Sequence, residues 1–224
     1  MKSIGIICEY NPFHNGHIYH INKIKEMFPD SVIILVMSGN FTQRGDASII
    51  NKWNKTKIAL NHNIDLVIEL PFIFTNQSAD TFAFGACSIL NYLKVDYLVF
   101  GSESDNIDYI KNIVNIEDDK KYQKKVKELL DNGINYPTAL SKALKDFNIN
   151  LSDSSNDLLG ISYVKTLKKL NSKITPITIK RTNNYNDKTL TKYITSATSI
   201  RENINKRSIK KYVPKDTYKC LKEK

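Results

Sequence analysis

The sequence predicts an α/β fold in which a parallel sheet carries helices on both faces. Short apolar runs alternate along the chain with segments of helical periodicity, and these runs lack the strict apolar and polar alternation of a half-exposed strand. Strands that are buried on both faces of a parallel sheet have this appearance. The right-handed crossovers between such strands place the connecting helices on the two faces.

Five apolar runs of strand length predict the sheet. They cover residues 4–8, 32–37, 66–70, 97–100 and 174–179. Pro176 lies in the last run and indicates an edge strand or a strand start, because proline donates no hydrogen bond to a neighbouring strand.

Helices are predicted between the first four strands, at about residues 17–28, 51–61 and 79–92. The first has an apolar face that consists of Ile18, Ile21, Ile24 and Phe28. In the third, Gly85 permits close packing on the sheet. Residues 105–170 are mainly helical, and a further helix begins near Ser199 behind Ser and Thr residues that can cap it.

Composition indicates a globular protein of a reducing compartment. The 41% hydrophobic content, with 12 Tyr and 9 Phe, argues against disorder. Cys8, Cys87 and Cys220 are odd in number and far apart, which argues against a disulfide framework. No signal peptide or membrane-spanning run is visible, so we expect a cytoplasmic protein with no membrane partner.

Positive charge is concentrated near the C-terminus of this chain. Residues 1–100 contain 8 basic and 8 acidic side chains, residues 101–159 contain 8 and 11, and residues 160–224 contain 17 and 4. This basic part is interleaved with Tyr185, Tyr193, Tyr212 and Tyr218, a pattern typical of a surface that meets a phosphate backbone. The alternative is a solvated lysine-rich face in a sequence rich in Lys and Asn. The last dozen residues show no clear core face.

The segment Phe-His-Asn-Gly-His at residues 13–17 is the most informative motif. It follows a strand and a Pro/Asn loop and enters an amphipathic helix, which is the layout of a mononucleotide-binding βα unit. Gly16 lets the backbone approach a phosphate, and the helix contributes its positive N-terminal end. The imidazoles of His14 and His17 can both donate hydrogen bonds to the α-phosphate of ATP while charge builds up during attack. The motif therefore predicts a nucleotidyl-transfer site.

A zinc site is the alternative for these histidines. It would use His14, His17 and His20, and Cys8 and Glu9 are the near residues that could complete it. The chain contains no Cys-x-x-Cys pair, which favours phosphate binding.

Polar segments follow several predicted strands and should meet at one crevice, because ligands of open parallel sheets bind beyond the carboxyl ends of the strands. These segments are 38–45, 69–71 and 100–103. Gly101 would let the backbone lie flat against an adenosine, and Arg44 could neutralise a phosphate or a small anionic substrate. Lys180 and Arg181 offer cations for the outer phosphates. Further candidate contacts are Asn40, Ser196, Thr198 and Arg201.

Several blocks of the sequence resemble the tRNA(Met) cytidine acetate ligase family, a group with the His-x-Gly-His motif. They are Gly-Ile-Ile-Cys-Glu-Tyr-Asn-Pro-Phe-His-Asn-Gly-His at 5–17, Met-Ser-Gly-Asn-Phe-Thr-Gln-Arg-Gly at 37–45, Asp-Leu-Val-Ile-Glu-Leu-Pro at 65–71, Phe-Gly-Ser-Glu at 100–103 and Ser-Ala-Thr-Ser-Ile-Arg at 196–201. The blocks occur in the order of the family and span most of residues 4–201.

The resemblance implies a Rossmann-like, HUP-type nucleotidyltransferase fold and an ATP-dependent ligase. Such an enzyme activates acetate as acetyl-adenylate and transfers the acetyl group to the amine of the wobble cytidine in elongator tRNA(Met). His14 and His17 would be catalytic, and Mg²⁺ would accompany ATP. By motif, ATP would contact Ile7, Cys8, Glu9, Tyr10, Asn11, Pro12, Phe13, His14, Asn15, Gly16, His17, Ile18, Tyr19, His20, Gly101, Asn156 and Arg181.

The resemblance also implies a division of the chain. Residues 1–205 would form the catalytic domain, with 105–170 as a helical insertion, and residues 206–224 would begin a basic tRNA-binding region that continues in other members of the family. Two alternatives stay open. One is another His-x-Gly-His nucleotidyltransferase, although no Lys-Met-Ser-Lys-Ser-like loop is present. The other is a non-catalytic nucleotide-binding or RNA-binding module.

Overall fold

The computed structural model describes residues 1–151, 154–181 and 194–223. It contains strands β1 (Ser3–Cys8), β2 (Val32–Ser38), β3 (Leu66–Leu70), β4 (Tyr97–Ser102) and β5 (Thr175–Lys180). They form one sheet in the order β3-β2-β1-β4-β5, and every neighbouring pair is parallel. The predicted α/β class is confirmed, and so are the five predicted strands.

The helices are α1 (Asn15–Met27), α2 (Lys52–Leu60), α3 (Phe72–Thr75), α4 (Ala79–Tyr92), α5 (Ile107–Glu117), α6 (Lys120–Asp131), α7 (Tyr136–Lys145), α8 (Ser155–Lys169), α9 (Ala197–Glu202) and α10 (Lys215–Lys222). A 3₁₀ helix covers Arg207–Lys211. Residues 105–170 are mainly helical, as predicted.

The sheet has a separate apolar core on each face. Along β2, Ile33 and Leu35 belong to the core that contains α1, α2 and α10, whereas Ile34 and Val36 belong to the core that contains α4, α5 and α8. Side chains that alternate between two buried cores explain why the strands read as continuous apolar runs. The prediction of helices on both faces is confirmed.

Two local features differ from the prediction. Helix α3 was not predicted, because four residues are too few to show a helical period. Gly85 packs against this helix and not against the sheet. A Cβ at Gly85 would collide with Cγ of Phe74, so the glycine makes room for that ring.

The C-terminal part of the described chain has a core face, which corrects the expectation for the last dozen residues. Val213 and Leu221 are buried in the same core as α1, and Ile209 and Tyr212 join them from the preceding segment. Tyr212 is therefore not a surface aromatic, and Tyr218 is partly buried against this core. Tyr185, Tyr193 and the polar loop at 182–188 lie outside the described residues.

Pro176 lies in β5, which pairs only with β4 at the edge of the sheet, so its predicted edge position is confirmed. Within the described ranges, no helix has the length and apolar character that crossing a bilayer requires.

Candidate functional site

A cavity of about 410 Å³ opens at the carboxyl ends of β1 and β4. The chain leaves β1 towards β2 on one side, and it returns to β4 on the other side of β1, so the cavity lies where the strand order reverses. In open parallel sheets this is the point at which ligands bind. Segments from β1, α1, β4, α8, β5 and α9 line it.

The two histidines of the motif form a capping box at the start of α1. Nδ1 of His14 accepts a hydrogen bond from the backbone N–H of Gly16 at 3.0 Å, and Nδ1 of His17 accepts one from the N–H of His14 at 3.2 Å. A neutral imidazole whose Nδ1 accepts a hydrogen bond carries its proton on Nε2. The backbone therefore fixes both rings in the tautomer that can donate from Nε2, and both rings line the cavity.

Burial keeps both rings neutral. It lowers the pKa of His14 to about 3 and holds the pKa of His17 well below its usual value, and the positive charge of Arg181 adds to both effects. The rings are stacked, with centroids 3.8 Å apart and planes inclined by 22°. Tyr10 and Phe13 pack beside His17 at centroid distances of 4.4 Å and 5.5 Å. The site therefore offers two neutral, rigidly held N–H donors.

This geometry disfavours the zinc alternative. Two rings that are stacked nearly parallel point in similar directions, whereas tetrahedral zinc needs ligands that converge on one point. Over residues 1–151, 154–181 and 194–223, no group of three or more His, Cys, Asp or Glu side chains is arranged to hold a metal.

The first backbone amides of α1 donate hydrogen bonds within the protein. The N–H of Asn15 donates to the carbonyl of Tyr212 at 2.9 Å, Gly16 donates to His14, and His17 and Ile18 donate to the carbonyl of His14 at 2.8 Å and 3.3 Å. These amides are hydrogen-bonded within the protein, and the approach of a phosphate to the backbone at Gly16, which lines the cavity, stays a prediction. Gly16 is required because a Cβ there would lie 2.8 Å from Cε1 of His14.

His20 is a third imidazole in the cavity wall. Its Nε2 is buried and has no hydrogen-bond partner among the described residues, and burial lowers its pKa to about 4. A buried polar atom of this kind is costly unless a ligand satisfies it.

The three histidines should make the protein sensitive to mild acid. The histidines of the unfolded chain bind protons near their ordinary pKa of 6.5, whereas His14 and His20 in the folded protein do so only near 3 and 4. The contribution of these neutral histidines to the free energy of unfolding is therefore fully present above about pH 6.5. It is lost as the pH falls towards 4, at about 1.4 kcal/mol per pH unit for each histidine. Glu9 acts in the opposite direction, because burial raises its pKa and the folded protein therefore binds this proton more readily than the unfolded chain does.

We expect the free energy of unfolding in urea to be roughly 2–4 kcal/mol lower at about pH 5.5 than at about pH 7.5. The variant His20→Leu should show a drop that is smaller by about a third, because it loses one of the three groups. Equal stability at the two pH values would contradict the burial of neutral histidines.

A buried lysine joins the ends of β1 and β2 beside the cavity. Lys55 is only 1% exposed, and its Nζ donates to the carbonyls of Glu9 and Ser38 at 2.8 Å each and to Oγ of Ser48 at 3.2 Å. Burial lowers its pKa to about 8. The carboxylate of Glu9 accepts a hydrogen bond from the N–H of Gln43. Lys55 was not among the predicted site residues, because a lysine on a short amphipathic helix is expected to lie on the surface.

A second polar network supports the opposite wall. Arg181 Nη1 donates to Oδ1 of Asn156 at 3.3 Å, and Asn156 Nδ2 donates to Glu103, which lies 3.8 Å from Arg181 Nε. Asp157 is 2% exposed, and its carboxylate accepts hydrogen bonds from the hydroxyls of Ser102 and Ser154 and from the N–H groups of Glu103 and Ser104. Asp157 therefore holds the loop after β4 against the start of α8.

Asp157 was not among the predicted site residues. The available signal was the spacing Ser-x-x-Asp at 154–157 before a helix, which is typical of a capping box. Ser154 is the N-cap residue of α8, but its hydroxyl donates to Asp157 and does not cap a backbone N–H.

The segment 196–201 closes the cavity from the C-terminal side. Ser196 caps α9 through a hydrogen bond from the N–H of Ser199 at 3.0 Å, so this helix begins two residues before the predicted start. The side chain of Arg201 points back towards the start of α9 and donates to Oγ1 of Thr198 at 3.1 Å and to the carbonyl of Asn11 at 2.7 Å. Arg201 thus ties α9 to the loop that precedes the histidines.

Most of the predicted site residues line this cavity. They are Ile7, Cys8, Glu9, Tyr10, Asn11, His14, Gly16, His17, Tyr19, His20, Arg44, Gly101, Asn156, Arg181, Ser196 and Arg201. The space beside Gly101 is taken by Arg181, whose Cγ would lie 3.1 Å from a Cβ there. The structure adds Phe82, Phe100, Tyr163 and Thr195 to the lining.

Six predicted contacts do not line the cavity. Asn15 donates from its side chain to the carbonyl of Lys211 at 2.9 Å, and Asn40 accepts from the N–H of Lys52 at 2.9 Å. Thr198 accepts from Arg201. The others pack in or against the core and are Pro12, Phe13 and Ile18. The segment 69–71 does not line the cavity either, because Glu69 forms an ion pair with Lys52 at 2.8 Å.

A βα unit with an N-cap histidine, a second histidine three residues later and a cavity at the strand switch point defines a nucleotidyltransferase-like site. The chain belongs to the HIGH nucleotidyl transferase family, whose model matches residues 1–224.

Within the nucleotidyl transferase family, this chain is similar to proteins that share one name. The chain is 46% identical to the tRNA(Met) cytidine acetate ligase of Caldicellulosiruptor bescii, over 100% of this chain and 57% of that protein. It is 48% identical to the tRNA(Met) cytidine acetate ligase of Acetivibrio thermocellus, over 92% of this chain and 52% of the relative. The chain thus spans little more than half the length of these relatives.

Solved structures agree with the sequence relatives. TmcAL of Thermotoga maritima in its apo form superposes with a TM-score of 0.92 at 36% identity, over 99% of this chain and 56% of that chain. TmcAL of Thermotoga maritima bound with alpha-thio ATP superposes with a TM-score of 0.88 at 36% identity, over 99% of this chain and 55% of that chain.

Proposed function

We propose that this chain carries the ATP-binding and acetate-activating part of a tRNA(Met) cytidine acetate ligase. The observation that carries the proposal is the pair of neutral imidazoles, fixed by backbone hydrogen bonds in the tautomer that donates from Nε2 and placed in the wall of the cavity. The names of the relatives and the ATP analogue in the Thermotoga structure support ATP as the nucleotide.

In the first step, a carboxylate oxygen of acetate attacks the α-phosphorus of ATP. The bond from that phosphorus to the bridging oxygen of the β-phosphate breaks, and pyrophosphate leaves with the electron pair, so acetyl-adenylate is formed. Acetate is a poor nucleophile, so the site must hold it in line with the α-phosphorus. The Nε2–H groups of His14 and His17 donate to the α-phosphate oxygens, where negative charge builds up in the transition state.

Cations in the cavity wall complement the polyphosphate. Lys180 is the last residue of β5, Arg181 follows it, and Arg201 lines the cavity from α9. We propose that these side chains balance the charge of the outer phosphates. The uncharged part of the nucleotide would lie along Ile7–His20 and near Gly101 and Asn156, which is the assignment made from the sequence.

We propose that Mg²⁺ reaches the cavity bound to ATP and has no separate site on the protein. Among the described residues, Glu9 is the one carboxylate that lines the cavity, and it accepts a hydrogen bond from the N–H of Gln43. Outside the lining, Asp157 accepts four hydrogen bonds and Glu103 faces Asn156 and Arg181. The residues that the structure describes therefore do not fit a dedicated Mg²⁺ site, and no step is assigned to the ion.

In the second step, the amine of the wobble cytidine of elongator tRNA(Met) attacks the carbonyl carbon of acetyl-adenylate. The bond from that carbon to the phosphate oxygen breaks, AMP leaves, and the amine loses one proton.

A tRNA substrate implies a cytoplasmic reaction. We propose that residues 1–205 form the catalytic domain and that the basic segment 206–224, although its apolar side chains pack in the same core as α1, begins a tRNA-binding region. This segment presents Lys206, Arg207, Lys210, Lys211 and Lys215 on the surface.

Pyrophosphate exchange tests the first step. We expect the protein to incorporate labelled pyrophosphate into ATP when acetate is present and not when acetate is omitted. Binding of ATP without exchange under any acid would favour a non-catalytic module. Exchange that depends on a phosphorylated small molecule in place of acetate would favour another nucleotidyltransferase of the His-x-Gly-His type.

A further inference from the structure

Three large apolar side chains form an exposed cluster beyond the ends of β2 and β3. They are Phe41, Phe72 and Ile73, with exposures of 43%, 62% and 69%, and we call them the aromatic cluster. The rings of Phe41 and Phe72 lie 5.5 Å apart in an edge-to-face arrangement. Contiguous exposed apolar side chains on a folded domain commonly mark a binding surface.

The backbone under the cluster is firmly held. In α3, Phe74 packs in the space that Gly85 leaves, and the buried Thr75 donates to the carbonyl of Leu70 at 3.2 Å. These inward contacts fix the four-residue helix, so Phe72 and Ile73 are directed outwards by its geometry. The loop of Phe41 is closed by hydrogen bonds from Thr42 to Asp46 at 2.9 Å and from Ser48 to Asn40 at 2.8 Å.

Both halves of the cluster are connected to the cavity through Gln43. Its backbone N–H donates to Glu9, at the end of β1, and its side chain donates to the carbonyl of Gln77, in the segment that follows α3. Gln43 and Arg44 line the cavity, and they follow Phe41 by two and three residues. The aromatic cluster is therefore tied through Gln43 to the cavity wall, and the exposed Arg44 follows Gln43 in the same loop.

We propose that the aromatic cluster is the platform on which the base of the acceptor nucleotide stacks while its amine enters the cavity. This inference rests on the proposed function, because the acceptor is then a base of single-stranded RNA. ATP would occupy the interior, so the amine has to approach acetyl-adenylate from the mouth. A base leaves its own stack to reach such a site, and aromatic rings on the protein replace the lost stacking. Arg44 supplies a cation for the adjoining phosphate.

Two short RNA probes test this platform. One is a fluorescein-labelled single-stranded heptanucleotide with a central cytidine, and the other is identical except for an abasic ribose at that position. With ATP present, we expect the protein to bind the cytidine probe about tenfold more tightly than the abasic probe. Phe41→Ala and Phe72→Ala should each bring this ratio close to one without weakening the abasic probe, and Phe72→Trp should preserve it.

Tyr92→Ala is the matched control, because Tyr92 is 86% exposed and lies at the end of α4, away from the cavity lining. It should leave the ratio unchanged. A ratio of one in the wild type, or a ratio that survives both alanine substitutions, would overturn the proposal. A change in self-association in place of a change in the ratio would identify a contact between copies of the chain, which also overturns it.

Acetate-dependent pyrophosphate exchange separates this inference from the proposed function. Exchange should be unchanged in Phe41→Ala and Phe72→Ala, because neither side chain touches the nucleotide cavity. Absence of exchange in the wild type would count against the proposed function, whereas normal exchange with no preference for cytidine would count against the platform alone.

Discussion

The variant His14→Asn is expected to lower acetate-dependent pyrophosphate exchange by about 10²–10³-fold and to keep the stability of the wild type within about 0.5 kcal/mol. Asparagine is a good N-cap residue, so its side-chain oxygen can replace Nδ1 as the acceptor for the N–H of Gly16. Its shorter amide does not reach the position of Nε2. This variant therefore keeps the capping role of His14 and removes the N–H group that we propose as a donor to the α-phosphate.

The companion variant His14→Ala loses both roles. Its exchange activity should fall by a similar factor, and its free energy of unfolding should fall by about 1 kcal/mol as well, because the cap is lost. Exchange rates and urea unfolding curves of both variants provide the comparison. If His14→Asn retains the exchange rate of the wild type, His14 is only a helix cap.

Asp157→Ala should produce the largest loss of stability. We expect the free energy of unfolding to fall by about 2–4 kcal/mol, because the substitution removes the buried carboxylate that accepts hydrogen bonds from the partly exposed N–H groups of Glu103 and Ser104. The hydroxyls of Ser102 and Ser154 lose the same partner. Urea unfolding at neutral pH measures the effect.

Asp131→Ala is the control for this measurement. Asp131 is an exposed aspartate in α6, and its removal should change stability by no more than about 0.5 kcal/mol. A similar small effect for Asp157→Ala would mean that water replaces the carboxylate at the loop after β4, which would contradict its role in holding that loop.

The sequence predicts features that depend on near neighbours. Apolar runs and helical periods suffice for the five strands and for helices such as α1, because burial on both faces imposes these patterns directly. His14 and His17 could be found because their spacing at a strand-to-helix turn is a local signal. Their tautomers were not predictable, since they depend on which backbone N–H each ring accepts.

Features that depend on distant contacts were missed. Lys55 is buried because the ends of β1 and β2 converge on it, and Asp157 is essential to a loop 53 to 55 residues away. Tyr212 and Leu221 lie in a basic segment whose few apolar residues find a core only when α1 and α2 are in place. Composition does not reveal such long-range contacts, so this segment was expected to have no clear core face.

The two hydrogen bonds from Asn15 to the carbonyls of Lys211 and Tyr212 join the start of α1 to the far end of this chain. A proteolytic cut before residue 211 would thus remove both hydrogen-bond acceptors of Asn15, the residue that follows His14. A displacement of residues 211 and 212 would likewise act directly on Asn15, which is the neighbour of His14 in the chain. The loop that we propose to contact ATP is consequently held in place by backbone carbonyls near the C-terminal helix.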